Sequence, residues 1–466
     1  MKARREHPAA IPGHIPYYYL LLLLPLLRGV RYVRLPDGFP RWLRGTWFDG
    51  AVIASLLVLS AVAWSKRTYD VNEHRLRLCR GIFWQRTTRI PLRWVTTLTV
   101  ERPLWLRLLR AARVSADTDG GNHRLADVRL TVWRRQAALF LPDSEGGVYL
   151  RAKTWRMVLL SLLSSDSFGG VLLLTAAVRQ SSVLLGESIR NTVMDNLEAA
   201  ADAMAAIPRT AALLILVLAV GWLTGTVRHL LRHLPFALCR QEDTLTVYMG
   251  TITKRIHCCA VGAVNYIDIR QTLAAHILRL YTVYINCTGY GKDKNTLAVV
   301  IPPCRRFREE WQLLFPHLRP CAVTLRPTKR AWLRYLRLPL LLLLLLPIAG
   351  QAAGWAFPVW RELAVYLSIL AVLPCLWLGA VRMVAYHVTG VGYQEGQYSL
   401  CYAHRLTLHR VTVPAEKVAA VHIRRSLWQR RRGVCDLWVY SHHEFRRPHK
   451  VRHLKYDEVK QLLKEV

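Results

Sequence analysis

Stretches of about 20 apolar residues recur along this chain, and a run of that length reads as a helix that crosses a bilayer. Ile207–Val227, Leu338–Phe357 and Leu363–Val381 are the clearest, the second containing an unbroken leucine run from Leu340 to Leu346. Trp47–Trp64 follows, with Asp49 near one end. Ile11–Leu27 carries Pro25, and Phe168–Leu185 is interrupted by Arg179, Gln180, Ser181 and Ser182. Between these runs the chain is strongly basic: 65 Lys and Arg stand against 30 Asp and Glu, a net charge of +35. A soluble nucleic-acid binder could carry that charge, but not with 52% hydrophobic residues and a mean hydropathy of +0.16. A basic disordered tail is excluded by 16 Trp and 19 Tyr. What fits is a polytopic membrane protein with basic domains on the cytoplasmic side.

The side of each segment follows from where Lys and Arg collect. Residues 66–156, 228–335 and 386–466 are crowded with them and read as inside. Residues 186–206 carry Arg190 against Glu187, Asp195, Glu198 and Asp202, and the turn Gln351–Glu362 carries only Arg361, so both read as outside. Six crossings in three hairpins, with both termini cytoplasmic, satisfy this pattern. Arg28–Arg44 is the exception, five arginines that this topology places outside: either they snorkel to the interface or the first run is re-entrant and does not cross. Residues 186–207 have an apolar stripe (Ile189, Val193, Leu197, Met204, Ile207) suited to a helix on the outer surface.

The three inside segments align with one another. A shift of 169 brings Gly81 to Gly250, Val95 to Val264, Leu104 to Leu273 and Gly120 to Gly289 without a gap. A shift of 323 brings Pro91 to Pro414, Val95 to Val418, Arg102 to Arg425, Leu104 to Leu427 and Arg107 to Arg430. An internal repeat is therefore expected. Within each copy, short alternating runs such as Trp94–Val100 and Val264–Ile269 predict strands, and Thr154–Leu163, Phe307–Leu314 and Tyr456–Val466 predict a closing helix. The expected fold is α+β: about six transmembrane helices in three hairpins, each followed by a small antiparallel barrel or sandwich with a covering helix. The domains so drawn are residues 1–65, 66–165, 166–228, 229–335, 336–385 and 386–466, alternately membrane and β.

A β segment beside a membrane hairpin with Tyr69, Arg75-Leu76, Gly81, Ile90-Pro91-Leu92, Val95, Arg102, Leu104, Arg107 and Gly120-Gly121 resembles the bacterial pleckstrin-homology (PH) domain of the YdbS/YdbT-like membrane proteins. His7-Pro8 resembles the start of the three-unit members. The later copies depart from the pattern: Cys259-Ala260 replaces Ile-Pro, and His404 stands where the others have Gly. The resemblance implies PH-like domains, a non-enzymatic membrane component and a smaller PH-domain membrane protein as partner. A role against envelope stress or antimicrobials follows from analogy alone.

The densest candidate site is Arg424, Arg425, Ser426, Leu427, Trp428, Gln429, Arg430, Arg431 and Arg432, cations interleaved with apolar groups that suit anionic lipid headgroups. The alternative is a solvated loop that obeys the charge rule for membrane orientation. Its counterpart in the first copy holds Arg102, Leu104, Trp105 and Arg107, whereas the one around Leu273 is much less basic. For Leu104, Leu273 and Leu427 core packing is favoured over insertion into lipid, with Gly81, Pro91, Gly120, Gly250, Gly289 and Pro414 as turn and strand-end residues.

His229 and His233 have helical metal-pair spacing without an acid between them, and His442-His443-Glu444 and His257-Cys258-Cys259 lack a full ligand set. No Walker, HExxH or GxSxG motif occurs. No enzyme, cofactor, metal or nucleic-acid role is expected, and the ten scattered cysteines read as reduced. The function expected is a membrane scaffold that engages anionic lipid or a partner protein. The alternative is a transporter or channel, which the scarcity of facing polar residues in the spans disfavours.

Overall fold

The computed structural model describes residues 4–14, 38–72, 75–81, 84–118, 127–141, 148–151, 154–164, 209–287, 297–301, 314–315, 318–441 and 448–463, with scattered positions between 192 and 202. The expected runs Ile11–Leu27 (beyond residue 14) and Phe168–Leu185, the glycines Gly120 and Gly289, most of Phe307–Leu314 and His442-His443-Glu444 lie outside these residues.

In chain order the first elements are β1 (Arg4–Arg5), α1 (Gly38–Ser65), β2 (Thr68–Asn72), β3 (Arg75–Arg80), β4 (Arg86–Pro91), β5 (Val95–Arg102), α2 (Leu104–Leu108), β6 (Ala111–Thr118), β7 (Val128–Trp133), β8 (Val148–Arg151) and α3 (Thr154–Ser164). Next come α4 (Arg209–His233), β9 (Ala237–Gln241), β10 (Thr244–Met249), β11 (Lys254–Ala260), β12 (Val264–Thr272), α5 (Leu273–Ile277), β13 (Tyr281–Cys287) and β14 (Leu297–Ile301). The last are α6 (Trp332–Ala356), α7 (Arg361–Leu370), α8 (Val372–Val388), β15 (Gly390–Gln394), β16 (Gln397–His404), β17 (Thr407–Pro414), β18 (Val418–Arg424), α9 (Leu427–Arg431), β19 (Val434–Ser441), β20 (His449–Lys455) and α10 (Tyr456–Leu462). Contacts divide the chain into two units, Met1–Glu145 with Ile252–Cys259 and Gly146–Thr251 with Ala260–Val466.

In the first unit, β1 to β4 form an antiparallel sheet in that order. Alternation in Arg75-Leu76-Arg77-Leu78 turns the two leucines inward, where they are buried with Tyr69 and Ile90. Gly81, at φ +125°, turns the β3–β4 connection, and a Cβ there would overlap the Trp84 carbonyl oxygen. After Pro91 a three-residue 3-10 turn leads into β5, which pairs with β6, and β6 with β7. The other edge of β5 carries β11, a strand from more than 150 residues later in the chain, with Arg255 opposite Glu101 and Ile256 opposite Val100.

In the second unit, β8 pairs with β9 and β9 with β10. Helix α3 lies against α4 through the Ser161 Oγ–His229 Nδ1 hydrogen bond of 2.9 Å, and Trp222 Nε1 donates to the Leu162 carbonyl at 3.2 Å. A six-stranded antiparallel sheet runs β14-β13-β12-β17-β16-β15, and β18-β19-β20 form a separate sheet. Tyr398, Leu400, Val411 and Val413 of the first of these meet Leu437, Val439, Val451 and Leu454 of the second in one core, closed by Val459 and Leu462 of α10. The closing helix expected at Tyr456–Val466 is thus present as Tyr456–Leu462.

Two expectations are adjusted. The β segments are not self-contained: β5 accepts β11, and β12 pairs with β17 across the segment boundary. Unpaired edge groups of one segment find their partners in the next, which leaves fewer open edges. Among the described residues three helices are long and apolar enough to cross a membrane, Ile215–His233, Lys329–Ala356 and Arg361–Val388, and the last two outrun the apolar stretches expected there. Their extra turns carry Arg, Tyr and His, whose long or amphipathic side chains tolerate an interface. Pro374, early in α8, follows the break at Ala371 between α7 and α8.

Candidate functional site: a basic pocket and an arginine-rich tip

Three short helices follow strands β5, β12 and β18, and each ends on a left-handed residue: Arg110 at φ 53°, Arg279 at 54° and Gly433 at 62°. In each, the third residue turns inward: Leu106, Ala275 and Gln429 are buried. The first residue behaves differently. Leu273 is buried, but Leu104 is 52% exposed and Leu427 76% exposed. Core packing, favoured from the sequence for all three leucines, therefore holds only for Leu273. The helical turn gives the inward position to the residue two places later and points Leu104 and Leu427 away from the sheet.

Helix α9 is fixed by a reciprocal cap: the Gln429 amide donates to Ser426 Oγ at 3.3 Å, and the Ser426 amide donates to Gln429 Oε1 at 2.8 Å. Gln429 Nε2 then donates to Asp436 Oδ1 at 2.9 Å, which ties the helix to β19. The arginines expected to act together fall into two sets. Arg424 stacks on Trp438 with 3.7 Å from guanidinium carbon to ring centroid, and Arg425 on Tyr456 at 4.0 Å. Arg430, Arg431 and Arg432 are exposed beside Leu427 and Trp428, the latter 70% exposed. That second set forms the protruding tip. In the first unit Leu104, Trp105, Leu108 and Leu109 make a more apolar tip, with Arg107 exposed and Arg102 half-buried. Burial, with Arg134 and Arg107 close by, lowers the pKa of Arg102.

The structural turn positions also resolve. Pro91, Ala260 and Pro414 precede equivalent 3-10 turns at φ −61°, −70° and −61°, so Ala260 adopts the proline conformation without the ring. Gly250 has φ +89°, like Gly81 in the positive-φ region that favours glycine. In the third copy the positive φ falls one residue later, on Arg405 at 54°, which frees position 404 to be histidine.

A feature missed from the sequence lies where α6 and α8 meet the last β segment. A cavity of about 600 Å³ is lined by Arg334, Arg382, Arg405, Lys450 and Arg452, with Tyr335, His404 and His453, and no Asp or Glu. Arg334 and Arg382 come from the helices, Arg405 from the β16–β17 turn, and Lys450 and Arg452 from β20. His453 fastens the pieces together: Arg334 Nη1 approaches its Nδ1 at 3.2 Å, and its carbonyl accepts from the Thr328 amide at 3.2 Å. The neighbouring acid Asp436 is engaged by Gln429 and by the His453 amide at 3.0 Å. Burial foremost, with Arg334 and Arg452 adding to it, holds the His453 pKa below its ordinary value, against the pull of Asp436. A 600 Å³ cavity with convergent cations suits an anionic group such as a phosphate. A scan for pairs or motifs could not find it, because its residues are up to 119 positions apart, from Arg334 to His453.

His229 and His233 stack at 4.2 Å between ring centroids, and His233 Nδ1 lies 2.8 Å from the His229 carbonyl. Among the described residues no group of three or more His, Cys, Asp or Glu is placed to hold a metal.

Strands on two packed sheets with a short terminal helix, beside long apolar helices, define an α+β protein fit for a membrane. Residues 21–140 match the family model of the bacterial PH domain, so the first β segment is similar to that domain. No curated protein and no solved structure matches the chain.

Proposed function

We propose that this chain is a non-enzymatic, multi-pass scaffold of the bacterial cell membrane. It is a YdbS/YdbT-like protein with three PH-like segments, which hold it against anionic lipid at the cytoplasmic surface and present a docking site for a partner protein. The observation that carries the lipid reading is the cavity at the junction of α6, α8 and β20, lined by five Arg and Lys and by no Asp or Glu. Basic pockets between helix ends on the cytoplasmic side are where anionic headgroups bind, and each nearby Lys or Arg adds roughly 1 kcal/mol. The exposed Trp428 and Arg430–Arg432 tip is a second contact of the same chemistry.

The strand pairings support the topology. Arg4 and Arg5 pair with Tyr69 and Thr68, so the chain between them returns to the side it left. Val148–Arg151 pairs with Ala237–Gln241 on either side of α4. Thr324 and Leu325 bond to Val391 at 3.0 and 2.8 Å, on either side of α6, α7 and α8. These pairings accord with two crossings in each apolar region, six in the reading proposed. The basic character of the β segments puts them in the cytoplasm.

The test is thermal unfolding of the full-length protein in a neutral detergent, titrated with phosphatidylglycerol or phosphatidylcholine. A ligand that binds only the folded form raises the melting temperature with concentration. Phosphatidylglycerol should raise it, phosphatidylcholine should not, and equal curves would contradict the reading.

A further inference from the structure

The two places where one β segment joins the next share one register. In the first unit Arg255 lies opposite Glu101 and Ile256 opposite Val100. In the second unit His409 lies opposite Arg270 and Arg410 opposite Ile269. These are equivalent positions when Gly81 is set against Gly250 and Pro91 against Pro414. Both joints connect the fourth strand of one segment (β5, β12) to the third strand of the next (β11, β17). The fourth strand of the last segment is β18, and among the described residues it pairs with β19 and no other strand. Its exposure agrees: six of the nine residues of β12 are buried, and none of β18 is. The third joint thus has one half and lacks the other.

Charge identifies what the missing strand carries. Each existing joint places a carboxylate from the fourth strand among cations. Glu101 is 3.1 Å from Arg255 in one. In the other, buried Asp268 is 3.0 Å from His409 Nδ1 and bonds Arg270. The equivalents on β18 are Arg424 for Glu101 and His422 for Asp268, so this edge offers no acid of its own. A second copy of this chain could present its own unoccupied third strand, β4, but the shared register would set Arg424 against Arg86, and like charges directly opposed are unfavourable.

We propose that β18 is the docking edge for an extended strand of a different protein, added antiparallel in the register of the two internal joints, with an Asp or Glu opposite Arg424. This names the chemistry of the partner in the scaffold reading above and rests on that reading. Backbone hydrogen bonds supply affinity in such strand addition, and the Arg424–carboxylate pair supplies selectivity.

The test uses the full-length chain in neutral detergent without added lipid, so failure of the lipid reading leaves it intact. If the edge works by this register and charge rule, Arg424→Glu creates a chain whose own β4, through Arg86, becomes an acceptable partner. Arg86→Glu does the same from the other side, at an exposed position that spares the core. Light scattering should show each single variant at twice the wild-type mass or more, and the double variant back at the wild-type mass. In the Arg424→Glu background, the pair Ile423→Cys with Thr87→Cys should cross-link between copies, and Ile423→Cys with Arg89→Cys should not. Single variants that stay at wild-type mass, or a link in the wrong register, would overturn the docking edge. A wild-type chain that links to itself through Ile423→Cys and Thr87→Cys would overturn the claim that the partner is a different protein.

Discussion

Asp268 and His453 show how single buried groups tie chemistry to stability. Burial pushes the Asp268 carboxyl up, but the hydrogen bond and charge of His409 and then Arg270 outweigh it, and its pKa ends below the usual carboxylate range. Its stabilising contribution is present above the unfolded value of roughly 3.9 and is lost as pH falls through the folded value. Burial lowers the His453 pKa, so its contribution is complete above roughly 6.5 and declines as pH falls below that. The His453 contribution to melting of the full-length protein should therefore be smaller at pH 5.5 than at pH 7.5. Glu6, whose carboxyl burial pushes up to about 7, titrates in the same window with the opposite sign. His453→Asn keeps a residue tolerant of the left-handed φ of 62°. It should lower the melting temperature at pH 7.5 through loss of the Arg334 contact, yet remove the His453 share of the change to pH 5.5. An unaltered change would assign the titration elsewhere.

Helices and strands were legible to different depths. The apolar runs fixed the approximate places of α4, α6, α7 and α8 because a spanning helix needs one residue class over a long window. Alternation located β3, β5 and β12, and the equal spacing of Gly81 and Gly250 located their turns. Which strands pair was not legible, because β5 takes its partner from residues 254–259 and the local pattern of either strand is the same with or without it. The tip arginines were visible as a run, but their division was not, since it depends on Trp438 and Tyr456 beneath Arg424 and Arg425. One contact invisible in sequence has a sharp consequence. The segment entering α6 lies along β15, and a Cβ on Gly392 would overlap the Ala322 carbonyl oxygen. Backbone cannot yield as a flexible side chain can, so Gly392→Ala should cost about 1–3 kcal/mol. Gly396→Ala has open space but φ +72°, and should cost about 1 kcal/mol or more from backbone strain alone. Equal melting temperatures for Gly392→Ala and wild type would show that the segment at Ala322 does not hold β15.

The molecule combines apolar helices with basic β segments, and their junction is where both properties meet. Arg382 lies six residues before the end of α8, about 9 Å along the axis, level with cations from the turn at Arg405 and from Lys450 and Arg452. Several cations converging without an acid are self-repelling unless an anion joins them. In the scaffold reading that anion is a lipid headgroup, which would couple the last β segment to the bilayer in which α6 and α8 stand. The direct measurement is native mass spectrometry of the full-length protein released from bilayers of equal phosphatidylglycerol and phosphatidylethanolamine. The wild-type protein should retain phosphatidylglycerol in preference, and Arg382→Gln with Arg405→Gln and Lys450→Gln should lose that preference while remaining folded. Equal retention of both lipids by the wild-type protein, or unchanged preference in the triple variant, would contradict the account.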